Sequence, residues 1–283
     1  MTKLSSILLG FLFIAVSNTI DAATCHALII GLGKQKDKCW AKIHGDNDIQ
    51  YVKRMLNGAG YKDIVTLTNE QATKANIVSS FKALASRCKK GDVVYIHYSG
   101  HGQLMTDLNG DEAKKWGKSR HAGWDEAWIP YDAYMNYGSD DRGEKHLCDD
   151  EVAELLTAIR RKVGNAGEII VSIDACHSGD ATCGEEYECV RGVDTKFIIP
   201  RKSNSIVMEP MAERWMTISA CKPYQLAMEM KDLNIGKLTY ALCALGKLVL
   251  QMDNKALEAS LVQFMEMNKG RLPQTPVVTG NKK

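Results

Sequence analysis

The chain has 283 residues, 45% of them hydrophobic, so it is long enough to bury a sizeable core and is not expected to be disordered. Its 36 basic and 34 acidic residues nearly balance, which gives no electrostatic case for binding nucleic acid or an anionic membrane. Any preference for a charged ligand must therefore come from a local site.

The first residues have the layout of a secretory signal peptide. Lys3 precedes an apolar run over 7–16, and the small residues of NTIDAAT follow, which favours cleavage near Ala22 or Ala23. The run is short for a membrane span, and a buried N-terminal strand or helix is the alternative. We expect a leader at 1–23 and export of the chain, either secreted or periplasmic.

Export changes how the nine cysteines are interpreted. In an oxidising compartment an odd number leaves at least one thiol unpaired, and Cys176 is our candidate. The other eight could then form disulfides of undetermined connectivity, or several could be buried free thiols. Cys25 also allows a lipid-anchored interpretation, as a minor option. The nine are Cys25, Cys39, Cys88, Cys148, Cys176, Cys183, Cys189, Cys221 and Cys243.

Hydrophobic periodicity predicts strands that alternate with helices. The predicted strands are 25–33, 63–69, 91–102, 168–174 and 213–220, and the predicted helices are 46–60, 73–88, 149–163, 236–251 and 254–268. A polar stretch fills 103–148, and QTPVV near the end is extended. Several strands are apolar on both faces, so we predict an α/β fold with a mostly parallel central sheet flanked by helices on both faces. One domain over 24–283 accommodates these elements.

Two reactive side chains follow predicted buried strands. His101 and Cys176 each come just after such a strand, and open α/β sheets bind ligands beyond the carboxyl ends of their strands. A thiol beside an imidazole becomes a nucleophile for acyl transfer. Gly100, Gly102 and Gly179 permit the close backbone approach that an oxyanion hole requires. Taken singly, each of the two reactive residues could instead be a packed core residue.

The motifs HYSGHG at 97–102 and IDACHSG at 173–179 resemble the histidine and cysteine motifs of metacaspases and related caspase-like cysteine peptidases. The resemblance extends over about 25–280 and implies a caspase-like fold and cysteine endopeptidase activity. Further stretches that match in the same order are GDNDI (45–49), TDLNGDE (106–112), GWDEAWIPYD (123–132), DDE (149–151) and ISACKPYQ (218–225).

The resemblance assigns catalytic roles to individual residues. It implies that Cys176 is the nucleophile and that His101 is the general base, which then protonates the leaving amine. The backbone N–H groups of Cys176 and Gly102 would stabilise the oxyanion. His177 points away from its neighbour on an extended stretch, so we expect it to be structural.

Asp174 precedes the nucleophile by two residues and is expected on the same side of the strand end. The resemblance implies that Asp174, Asp48 and Ser99 line the primary specificity pocket. Carboxylates there favour cleavage after Arg or Lys, in protein or peptide substrates, rather than after Asp. Asp48 could equally be an acid in the first turn of a helix, where the helix dipole favours it.

The resemblance also implies a possible calcium site, although no cofactor is expected to be required. The matching aspartates are Asp132, Asp149, Asp150 and, with different spacing, Asp180. Hard oxygen ligands suit Ca²⁺. Asp149 and Asp150 could alternatively cap the helix that they begin.

Basic segments near the predicted site suggest self-cleavage of a zymogen. One is the insertion 113–122, which could also be only a solvated loop, and the other is the stretch around Arg191, Lys196, Arg201 and Lys202. Cys183 and Cys189 could form a local disulfide there, and Cys221 could be a core residue.

An inactive caspase-like scaffold that binds peptides or partner proteins is the alternative function. A zinc-protein interpretation is weaker, because the chain contains no C-x-x-C pattern. We expect a monomer with no membrane span.

Overall fold

A computed structural model describes residues 23–112, 123–177, 189–200, 214–230, 232–270 and 272–283. The leader predicted at 1–23 lies almost wholly outside this part of the chain, so export stays a prediction. None of the described helices is both long and apolar enough to cross a membrane.

A six-stranded sheet forms the centre of the molecule, in the order β11-β8-β7-β3-β1-β2. All neighbouring strands are parallel except β11, which runs antiparallel to β8 at the edge. The strands are β1 Cys25–Gly31, β2 Asp63–Thr68, β3 Val93–Ser99, β7 Glu168–Asp174, β8 Met216–Ser219 and β11 Val277–Gly280.

Helices pack on both faces of this sheet. They are α1 Gly45–Gly58, α2 Lys74–Arg87, α3 Asp149–Val163, α4 Lys237–Leu245, α5 Leu248–Gln251 and α6 Asn254–Met267. One apolar core joins Ala27 and Ile29 of β1 to α1, α4 and α6, whereas Leu28 and Ile30 face the second core with α2 and α3. This alternation confirms the predicted sheet with helices on both faces.

The polar stretch 103–148 contains structure that periodicity did not predict. A small antiparallel sheet is formed by β4 Gly102–Thr106, β5 Trp124–Trp128 and β6 Leu147–Cys148. A second small sheet pairs β9 Glu229–Met230 with β10 Ile235–Gly236. The predicted helix 236–251 is interrupted at Gly246, whose φ of 57° ends α4.

The described cysteines favour the second of the two alternatives, in which several are free thiols. Cys25, Cys39, Cys88, Cys148, Cys221 and Cys243 are free thiols. The suggested Cys183–Cys189 bridge involves Cys183, which lies outside the described residues. Burial raises the pKa of Cys88 and Cys243 to about 12, so these two thiols are unreactive core groups.

Candidate active site

The predicted catalytic residues follow two adjacent strands in register. Ser99 at the end of β3 pairs with Asp174 at the end of β7, and both side chains are fully buried. His101 and Cys176 each come two residues later. The parallel register therefore brings both loops to one edge of the sheet, as predicted.

His101 is oriented to act as a base. Its fully buried ring packs against Trp40, and Nε2 lies 2.8 Å from the carbonyl oxygen of Ala41. That contact places the proton on Nε2 and leaves a lone pair on Nδ1, which has no hydrogen-bond partner among the described residues. Burial lowers the pKa of His101 to about 4, so the ring is neutral near pH 7 and can accept a proton.

The two predicted oxyanion donors hold a carbonyl oxygen of the same chain. The backbone N–H groups of Cys176 and Gly102 donate to the Arg191 oxygen, with N···O distances of 3.0 and 3.3 Å. The next residue, Gly192, lies so close that an added β-carbon would be 2.7 Å from the Cys176 Sγ atom. The Arg191–Gly192 peptide therefore lies against the Cys176 side chain, with its carbonyl oxygen on the two N–H groups.

The Arg191 side chain fills the predicted specificity pocket and has no exposed surface. Its Nη1 donates to Asp48 at 2.6 Å and to Ser99 at 2.5 Å, and lies 3.5 Å from Asp174. Its Nε and Nη2 donate to Glu229 at 3.1 and 2.9 Å. The Arg191 guanidinium thus lies among three carboxylates, of which Glu229 was not predicted from the sequence.

Asp48 lines this pocket from the first turn of α1. Besides Arg191 and Ser99, its carboxylate accepts hydrogen bonds from Thr239 Oγ1 at 3.1 Å and Gly236 N at 3.1 Å. These donors come from outside α1, although Asp48 also lies in the first turn of that helix, where the dipole favours an acid.

Burial and charge pairing oppose each other in the pocket, and burial prevails only at Asp174. Desolvation and the neighbouring Asp48 raise the pKa of Asp174 to about 6, against the opposing effect of Arg191. Burial alone would lower the pKa of Arg191, but the surrounding carboxylates raise it well above its usual value. Glu229 is also desolvated, yet Arg191 and His44 lower its pKa. A cation therefore stays charged in this pocket.

The chain on each side of Arg191 is held by isolated backbone bridges. Val190 forms an antiparallel bridge with Met228, and the Arg191 N–H donates to the Ala227 oxygen at 2.9 Å. Downstream, Phe197 is fully buried and pairs in parallel with Met105 of β4. Backbone pairing thus fixes the segment through the cleft in an extended form.

A second cluster of acids lies in the loop after His101. Asp107, Asp111 and Asp125 are buried, and carboxylate oxygens from the three lie within 4.8 Å of one another. Burial raises the pKa of Asp125 to about 9, with Asp149 the strongest of several acidic neighbours that add to the effect. Buried oxygens of Asp111 and Asp125 have no hydrogen-bond partner among the described residues. Such a set of hard oxygen donors fits Ca²⁺.

The structure corrects one predicted calcium ligand. Asp132 Oδ1 accepts a hydrogen bond from the Lys74 N–H at 2.9 Å and so supports the start of α2. Its place in the cluster is taken by Asp125. Asp149 and Asp150 do lie near Asp125, whereas Asp180 falls outside the described residues.

His177 and Cys221 line a cavity of about 320 Å³ beside Cys176. His177 Nδ1 lies 3.6 Å from the Glu126 carboxylate, which is consistent with the predicted structural role. Asp149 and Asp150 line the same cavity, so the acidic cluster borders the catalytic centre.

Residues 26–182 match the family model described as metacaspase, peptidase C14 domain. The chain belongs to the metacaspase family. This stretch carries His101 and Cys176, and it ends before Arg191 and Glu229. Metacaspases are cysteine-type peptidases, so the family agrees with the chemistry of these two residues.

Two fungal metacaspases are among the similar curated proteins. Metacaspase-1 of Eremothecium gossypii is 32% identical over 165 residues, which cover 55% of this chain and 32% of that protein. Metacaspase-1 of Meyerozyma guilliermondii is 27% identical over 219 residues, covering 74% of this chain and 44% of that protein. The matched regions thus span less than half the length of these relatives.

Solved structures show the same fold. Protein GSU0716 from Geobacter sulfurreducens has a TM-score of 0.61 at 20% identity and covers 90% of this chain and 92% of that one. Caspase-1 from Spodoptera frugiperda has a TM-score of 0.59 at 11% identity, with 92% and 87% coverage. The fold is therefore caspase-like, as the sequence motifs implied.

Sequence patterns contained partial signals for the residues that were missed. Asp107, Asn109 and Asp111 have the D-x-N-x-D spacing of calcium loops. The match to GWDEAWIPYD, however, indicated Asp132 as a ligand rather than Asp125. No comparable signal marked Glu229, which reaches the pocket from the short strand β9.

Proposed function

We propose that this metacaspase is an endopeptidase that cleaves after Arg or Lys, and that its own Arg191–Gly192 bond is its first substrate. One observation carries the proposal. The Arg191 carbonyl oxygen accepts hydrogen bonds from Cys176 and Gly102 while the guanidinium lies among three carboxylates. Of the two basic segments predicted as cleavage sites, this favours the one around Arg191, and the insertion 113–122 lies outside the described residues.

The cleavage follows from these contacts. His101 Nδ1 takes the thiol proton, and the Cys176 sulfur attacks the Arg191 carbonyl carbon. Negative charge develops on the oxygen that the two N–H groups already contact. His101 then gives the proton to the Gly192 nitrogen, which leaves as an amine. Water hydrolyses the resulting thioester and yields a carboxylate at Arg191.

Specificity for basic residues follows from charge. Asp48, Asp174 and Glu229 present three carboxylates in a fully desolvated pocket, and an acidic side chain there would lack a counter-ion. Arg can use several donors at once, whereas Lys offers a single ammonium group. External peptides with Arg or Lys before the scissile bond are therefore the proposed substrates, once Arg191 leaves the pocket.

Calcium binding is proposed at the cluster of acids beside the cavity. Asp107, Asp111 and Asp125 would hold the ion, with Asp149 and Asp150 close by. The cation would neutralise carboxylates that burial otherwise forces together. No catalytic step needs it, so we propose a stimulatory role rather than a requirement.

Fluorogenic peptides that end in Arg, Lys or Asp test the proposal directly. We expect turnover of the Arg and Lys peptides under reducing conditions, with and without Ca²⁺, and loss of turnover in Cys176→Ala. Turnover of the Asp peptide alone would contradict the specificity.

An inactive scaffold is the second candidate, and the filled pocket favours it in one respect. With Arg191 fully buried in the pocket, the uncleaved chain cannot accept the side chain of another peptide. Absence of turnover for every peptide, together with an intact Arg191–Gly192 bond, would establish the scaffold. Export and a monomeric state stay predictions.

A further inference from the structure

A second group of metal-ligating side chains lies beside the pocket, on the segment that carries Arg191. His44, Cys189 and Glu229 each offer one ligand atom, and these atoms lie within 4.8 Å of one another. His44 Nδ1 and Glu229 Oε2 share a hydrogen bond of 2.6 Å, whose proton a metal ion would replace. The three residues come from three separate parts of the chain, so the fold itself assembles them.

We propose that His44, Cys189 and Glu229 bind a Zn²⁺ ion. Thiolate, imidazole and carboxylate are the ligands that zinc takes in proteins, at about 2.0–2.3 Å from the metal. Such bond lengths require shifts of roughly 1 Å from the present spacing. The Asp107, Asp111 and Asp125 cluster offers only hard oxygen donors, which suit Ca²⁺. The sulfur, nitrogen and oxygen donors of this second set suit Zn²⁺ instead.

The exposure of the three ligands suits a site that exchanges metal with solvent. The His44 side chain is about a third exposed, at 32%, whereas that of Glu229 is 3% exposed. The metal can therefore enter past His44 and keep a water molecule as a fourth ligand. Glu229 Oε1 stays bonded to Arg191, and this buried partner orients the carboxylate.

Because of its position, a zinc ion at this site would regulate the access of substrates to the pocket. This regulatory effect rests on the proposed peptidase function. Cys189 precedes Arg191 by two residues, and its carbonyl oxygen accepts the Glu229 N–H at 3.0 Å. His44 directly precedes α1, which carries Asp48. Zinc would thus tie the Arg191 segment to both sides of the pocket and keep external substrates out, even after self-cleavage.

Metal binding is tested first without any need for activity. The full-length Cys176→Ala chain is titrated with Co²⁺, whose thiolate charge-transfer band reports sulfur ligation, and then with Zn²⁺ against a chromophoric chelator. We expect one equivalent bound, with the band lost in Cys189→Ser and the zinc affinity at least tenfold weaker in both Cys189→Ser and His44→Ala. Cys39→Ser, an exposed thiol outside the cluster, is the matched control and should bind normally.

The metal titration uses the Cys176→Ala chain, which has no catalytic nucleophile, so its result does not depend on peptidase activity. Failure of the zinc site can therefore be distinguished from failure of the peptidase proposal. Absence of the band, or an equal band in Cys189→Ser, would overturn the site. In the chain with Cys176 intact, we expect Zn²⁺ to inhibit turnover of an Arg peptide, with at least tenfold more zinc needed in Cys189→Ser. Equal inhibition in both chains would overturn the regulatory effect and assign inhibition to the catalytic thiol.

Discussion

Arg191 is the residue on which the pocket depends. It is fully buried with Asp48, Asp174 and Glu229, so each of these carboxylates has given up water in exchange for one shared cation. A buried ion cluster adds little net stability when it is complete, but removal of one partner leaves uncompensated charge. The same side chain is thus a structural counter-ion and, in the proposed function, the first substrate side chain.

Replacement of Arg191 should destabilise the uncleaved protein. In the Cys176→Ala background, Arg191→Met is expected to lower the free energy of unfolding by about 3–5 kcal/mol, because three carboxylates lose their counter-ion. Urea denaturation at pH 7.5 measures the change. The exposed Arg142→Met is the control and should shift stability by less than about 0.5 kcal/mol. Equal stability of the two variants would contradict the account.

The pH dependence of self-cleavage reports on His101. Burial lowers its pKa to about 4, so the ring stays neutral and able to accept the thiol proton well below the usual histidine pKa of about 6.5. We expect the initial rate of self-cleavage to fall by half near pH 4. A half-maximal rate near pH 6.5 would mean that His101 is not the base or is not buried.

The same shift affects stability in a defined direction. The folded pKa of His101 is lower than the unfolded one, so the unfolded chain binds more protons as the pH falls. Stability from this group is therefore lost between about pH 6.5 and pH 4. Circular dichroism at each pH separates unfolding from loss of the base.

The sequence predicted which side chains lie together where these residues end adjacent strands of the sheet. Asp174 and Ser99 end adjacent parallel strands, so their convergence follows from alternation and register. The sequence did not predict that the Arg191 side chain occupies the pocket. That contact depends on the conformation of an irregular loop, which sequence spacing does not determine.

At the scale of elements, the segment 189–192 behaves as an added strand. Its backbone pairs with Ala227 and Glu229, and its peptide carbonyl at Arg191 meets the N–H groups of Cys176 and Gly102. Main-chain hydrogen bonds give such pairing its affinity, and the side-chain pocket adds specificity.

Substitution of Gly192 tests whether this close approach is needed for self-cleavage. In Gly192→Ala the new β-carbon would crowd the Cys176 Sγ atom and backbone, and overpacking of this kind costs about 1–3 kcal/mol. We expect self-cleavage to slow by about tenfold or more. Gly138→Ala, whose β-carbon would meet nothing within 4 Å, is the control. An unchanged rate in Gly192→Ala would rule out the substrate-like position of this bond.

The calcium proposal belongs to the loop after β4, to β5 and to the start of α3. We expect Ca²⁺ to raise the melting temperature of the Cys176→Ala chain and Asp125→Asn to abolish the rise, because Asp125 is one of the three clustered acids and has Asp149 and Asp150 as neighbours. Asp132→Asn should keep it, since Asp132 supports α2 instead. Thermal denaturation in EDTA and in Ca²⁺ measures both variants, and an equal response would refute the assignment.

Periodicity predicted the elements of the central sheet and its helices, but not those outside it. The strands β4, β5 and β6 lie in a stretch rich in acids and glycines, where the alternation of apolar and polar residues is hard to detect. The break between α4 and α5 depends on one positive φ at Gly246, which a helical pattern does not report.

At the scale of the molecule, the proposed cut lies between strands that share one sheet. Residues before Gly192 supply β1, β2, β3 and β7, whereas residues after it supply β8 and β11. The parallel β7–β8 pairing and the common apolar cores join the two parts. We therefore expect the cleaved fragments to stay associated, since the cut breaks only one peptide bond in the connection between β7 and β8.

The most direct measurement of the central claim is the N-terminal sequence of every fragment from purified wild-type and Cys176→Ala protein, incubated with Ca²⁺ under reducing conditions. The account predicts a new terminus at Gly192 in the wild type only, on a fragment that co-elutes with its partner until it is denatured. An uncut wild-type chain, or an equal Gly192 terminus in Cys176→Ala, would contradict it.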